Sequence, residues 1–85
     1  MNKVQRCEKF LVENGWALEP ESTFGSDYTA FYKEGLVTVD INSSEIVLVG
    51  EIGDFCHLPV DYYTLIGALM EYRQIAVNYV PVKAV

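Results

Sequence analysis

Between Leu58 and Asn78 the chain reads as a single amphipathic segment, and this stretch limits the possible folds more than any other. Pro59 biases Leu58 toward extended backbone, and Asp61 can accept from the free N–H groups of a first helical turn, so the spacing predicts a helix beginning near Val60 or Asp61. At 1.5 Å per residue, about 18 residues make a rod of roughly 27 Å, the width of a small domain. Advancing about 100° per residue gathers Thr64, Glu71, Gln74 and Asn78 into one polar sector and spreads apolar residues over about half the circumference opposite. That arc is wider than one sheet needs. The flank of Tyr63, Ile66, Met70 and Val77 is left for a first helix or for a second copy of the chain. Gly67 and Ala68 stand beside the polar sector, where another backbone could approach. Arg73 projects from within the apolar arc, so its stem either lies along the core or its guanidinium meets a carboxylate across a subunit boundary.

The remaining elements alternate or cap in recognisable ways. Asn2 to Asn14 reads as helix, with Val4, Cys7, Phe10 and Leu11 on one side and Asn14-Gly15-Trp16 as its stop. Trp16-Ala17-Leu18-Glu19 is a short strand. Tyr28 to Lys33, Leu36 to Ile41 and Glu45 to Val49 then form a three-strand meander, with turns at Glu34-Gly35 and Asn42-Ser43-Ser44. In its middle strand Val37, Val39 and Ile41 share the face on which both helices should pack. Gly50 to His57 reads as a bend and a short extended piece feeding the long helix. The expected architecture is a single α+β domain over residues 1–85: an N-terminal helix, a three- to four-stranded antiparallel meander, and a long C-terminal helix, both helices on one sheet face. Residues 78–85 form an apolar tail.

Charge and composition narrow the functional classes. With 51% hydrophobic and 21% charged residues the composition is globular, and no apolar run reaches the length of a membrane span. The first residues lack the continuous apolar stretch of a secretory signal, so the expected setting is cytoplasmic. Two cysteines make no disulfide framework. The net charge is −6, and residues 10 to 72 carry eleven acids against Lys33 alone. Direct nucleic-acid binding is therefore not expected, and a basic host protein is the easier partner.

No constellation supplies a cofactor, metal or catalytic site. Cys56-His57 would point to opposite faces of an extended segment, and two thiols with one imidazole leave zinc short of a ligand. Glu51, Asp54, His57 and Asp61 could run acid–base chemistry only if they converged in a pocket, whereas Gly53-Asp54 is turn material and Asp61 suits a cap. The six tyrosines fit boundary and interface positions. The reading is a non-enzymatic protein-binding chain, expected to be a homodimer, with Tyr63, Ile66, Met70, Arg73, Val77, Tyr79, Val80 and Val82 at the interface. The alternatives are an acidic decoy for a basic nucleic-acid-binding surface and a small enzyme using the clustered carboxylates.

At Leu11-Val12-Glu13-Asn14-Gly15-Trp16, Phe31-Tyr32-Lys33-Glu34-Gly35, Glu45-Ile46-Val47-Leu48-Val49-Gly50 and Leu58 to Leu69, the chain resembles small uncharacterised proteins encoded by bacterial phages and prophages. The resemblance implies an intracellular bacterial setting and a role in phage–host conflict or phage development. It transfers no functional residue.

Overall fold

A computed structural model describes residues 1–19, 22, 25–34, 38–50 and 55–71. Helix α1 spans Lys3–Glu13 and starts on a reciprocal cap. The Gln5 amide donates to Asn2 Oδ1 at 2.8 Å while the Asn2 amide donates to Gln5 Oε1 at 3.1 Å, which satisfies two of the free first-turn donors. The helix ends as the Asn-Gly-Trp sequence predicts. Gly15 takes φ +96°, its N–H bonds to Val12 O and the Trp16 N–H bonds to Leu11 O, so the chain reverses and carries the indole into the core. The Lys33 ammonium closes this corner, donating to Asn14 O at 2.9 Å and standing 4.9 Å from the Trp16 ring centroid.

Strands β1 (Ala17–Leu18), β2 (Thr29–Tyr32), β3 (Thr38–Ile41), β4 (Ile46–Val49) and β5 (Phe55–Leu58) form one antiparallel sheet in sequence order. The meander is thus extended at both edges: the short strand at Ala17 pairs with β2, and the short extended piece read before the last helix pairs with β4. The tight β3–β4 turn is held by Asn42, whose side chain accepts from the Ser44 and Glu45 amides, each at 2.8 Å.

The registers separate two faces. Phe31, Val39, Ile41, Ile46 and Leu48 share the helix side and join Cys7, Phe10, Leu11 and Trp16 in the core. Helix α2 (Tyr62–Glu71) adds Leu65, Ile66, Ala68 and Leu69. Each leucine, isoleucine or valine among them contributes about 1.5–3 kcal/mol when fully buried. The opposite face is not simply wet. Ala30, Asp40 and Val47 lie in one row across β2, β3 and β4 and none exceeds 3% exposure. The Ser22 hydroxyl donates to Asp40 Oδ2, and burial raises the Asp40 carboxyl above its usual range.

Asp61 begins α2 as its sequence position suggests, accepting from the Thr64 amide and hydroxyl at 2.9 Å each. The wide apolar arc of α2 is divided between the sheet and α1. Phe10 meets Tyr62 edge to face at 5.8 Å, and the Arg6 guanidinium lies 4.1 Å from the Tyr62 ring centroid. Ile66 is 2% exposed and belongs to the core, so this flank position is covered within the chain and is not open to a second copy. Met70 is half-buried against the core, while Tyr63 stays 46% exposed. Arg73, Val77, Tyr79, Val80 and Val82 lie outside the described residues, as does the expected continuation of the helix beyond Glu71. Among the described residues no backbone approaches Gly67. Among the described residues no helix is long and apolar enough to cross a membrane.

Candidate protein-binding site

An apolar recess lies between α1 and the first edge of the sheet. On α1, Glu8 and Val12 are four residues apart, as are Lys9 and Glu13, so all four fall on one side of the helix. From the sheet come Leu18 of β1 and, on the same face, Thr29 and Phe31 of β2. Together they line a groove of about 510 Å³. Phe31 is the buried floor, while Val12 and Leu18 are 58% and 67% exposed.

Two features of this groove are polar. The first is the main chain of Leu18. The Glu19 amide donates to Ala30 O at 2.8 Å, so Glu19 and Ala30 form a hydrogen-bonded pair, and the Leu18–Phe31 pair next to it is of the non-bonded kind. Leu18 therefore turns its N–H and C=O away from β2, along the outer edge of the sheet. The second is Glu8, a partly buried carboxylate that makes no hydrogen bond or ion pair among the described residues, and its pKa is raised by burial. Glu13 meets Lys9 at 3.9 Å, a contact between two well-exposed side chains that is worth little.

Of the chemistry-bearing residues singled out in the sequence, the described ones do not converge. Cys56 lies opposite Leu48 and packs against the core, whereas His57 lies opposite Val47 on the other face. Asp61 is committed to the α2 cap, and Glu51 and Asp54 lie outside the described residues. His57 has a different partner: its Nδ1 is 2.8 Å from Glu45 Oε1, and the Tyr28 hydroxyl donates to Glu45 Oε2. The Tyr28 bond, and then the His57 bond, hold the Glu45 carboxyl below its usual range, while Glu45 pushes the Tyr28 phenol up. This row fastens β5 and the start of β2 to the β3–β4 turn. Neither Tyr28 nor Glu45 stood out in the sequence, because only the strand register brings them together. The Val12–Leu18 groove was hidden for a related reason: its two rims belong to different elements, and each apolar side chain alone reads as ordinary amphipathic pattern. Among the described residues no group of three or more histidine, cysteine or carboxylate side chains gathers as a metal would require.

No family model, no curated protein and no solved structure matches this chain.

Proposed function

We infer that the chain works by binding another protein and not by catalysis. The observation that carries this reading is the groove between α1 and β1, where Val12 and Leu18 stand exposed over the buried ring of Phe31. Apolar surface left in water beside a recess favours an incoming side chain by about 25 cal/mol for each Å² covered. An acid–base reading is weakened by placement: Asp61 caps a helix and His57 is paired to Glu45 on the far face of the sheet. The resemblance to phage-encoded proteins would put such binding inside a bacterial cell.

Random-peptide display on the immobilised chain tests this, with the V12E/L18E double variant as counter-target. Ligands enriched on the wild-type chain and lost on the variant are expected. Failure to enrich any ligand, or enrichment of ligands indifferent to both substitutions, overturns the reading.

Self-association is a second reading, now resting on Tyr63, which is 46% exposed beside Arg6 and Tyr62. Light scattering on chromatographed protein is expected to show twice the chain mass at high micromolar concentration. A monomer throughout removes the homodimer and leaves the groove untouched.

A further inference from the structure

The geometry points to an extended polypeptide segment with an apolar anchor flanked by lysine or arginine as the occupant of the α1–β1 groove, laid beside β1 as an added strand. This rests on the protein-binding reading above and specifies its partner chemistry. Three observations converge on it. The recess has an aromatic floor and two exposed aliphatic rims, so it accepts one apolar side chain. Leu18 directs a main-chain donor and acceptor outward at an edge where no described strand pairs, which suits an extended strand better than a helix, whose own backbone groups are already satisfied. The lining also carries two carboxylates against one cation: Glu8, with no ionic partner among the described residues, and Glu13, whose partner Lys9 stands at 3.9 Å on the same lining. A cation arriving beside the anchor would meet Glu8, and the net charge of −6 would draw basic segments toward the chain. An acidic segment would meet a partly desolvated carboxylate and be disfavoured.

The test is titration of the isotope-labelled chain, followed by NMR, with a short capped peptide holding a central leucine between two lysines. Shift changes are expected to centre on Glu8, Val12, Leu18 and Phe31. Replacing both peptide lysines with glutamate should weaken binding by about tenfold or more, and N-methylation of the peptide amide facing Leu18 should do the same. E8Q should narrow the preference for the lysine peptide over the glutamate peptide by about threefold to tenfold. Because the peptide-side changes need no variant protein, a folding defect in E8Q cannot mask the result. Equal binding of lysine and glutamate peptides, indifference to N-methylation, or shifts centred elsewhere overturns the assignment. So does occupation of the groove by a second copy, seen as concentration-dependent shifts of the same residues without peptide. If display yields groove ligands that lack basic residues or bind as helices, protein binding stands and this partner chemistry fails. If display yields none, the parent reading fails.

Discussion

At the level of single residues the chain's least expected member is Asp40. It occupies the centre of the middle strand on the face away from the helices, is 1% exposed, and takes its side-chain hydrogen bond from Ser22. Burial disfavours its charged form, so its folded-state pKa lies above the ordinary 3.8. The folded chain therefore holds this proton more tightly than the unfolded chain does. The resulting stabilisation is fully present below the unfolded value and is lost as pH rises through the folded one. Asp40→Asn removes the titration while keeping the shape and an acceptor for Ser22. Urea unfolding of both proteins from about pH 3 to 8 should show the variant gaining on the wild type with rising pH, then a constant difference above the window. A difference that does not change with pH would mean that Asp40 ionises as freely in the folded chain as in the unfolded one. Subtracting the variant is essential because Glu45 and Asp61, both lowered by their hydrogen bonds, act with the opposite sign.

Elements were readable in the sequence where a local rule applied. The Gly15 reversal, the Asn42 turn and the Asp61 cap each depend on residues within five positions, and each is found. What escaped depends on distant partners. The short extended piece before α2 took its place as β5 because β4 offered it an edge, and the Tyr28–Glu45–His57 row formed because the register aligned three separate segments. The two best-placed glycines show the same division. Gly15 needs its positive φ, and a Cβ there would stand 3.2 Å from the Lys33 side chain. Gly67 sits inside α2, and a Cβ there would meet nothing within 4 Å among the described residues, so glycine only adds unfolded-state entropy. Gly67→Ala should therefore stabilise by about 0.5–1 kcal/mol, raising Tm by about 2–8 °C, whereas Gly15→Ala should lower Tm. Thermal melts followed by circular dichroism decide it. A loss of stability in Gly67→Ala would mean that the helix is approached at that point after all.

For the molecule as a whole, the two thiols report how cooperatively the two-layer core opens. Cys7 lies on α1 at 0% exposure, between the helix and the sheet, and its thiol is pushed up to about 11, chiefly by burial and then by the nearby Asp61 carboxylate. Cys56 lies on β5 at the sheet's other edge and is only partly buried. A thiol reagent needs both access and thiolate, so under native conditions at about pH 8 Cys56 should react and Cys7 should not. If the layers separate in one step, Cys7 should label only through global unfolding, at a rate that rises with urea along the same slope as the unfolding transition. If α1 instead lifts from the sheet alone, Cys7 should label with a much weaker urea dependence, because little further surface is exposed in that opening. The α1–α2 contacts at Phe10, Arg6 and Tyr62, together with the Trp16 reversal at the other end of the helix, fasten α1 at two places. The single-step outcome is therefore expected. Mass spectrometry of timed labelling reactions should show one modified thiol in the native chain and two after unfolding, and comparable labelling of both thiols without denaturant would contradict the buried placement of Cys7.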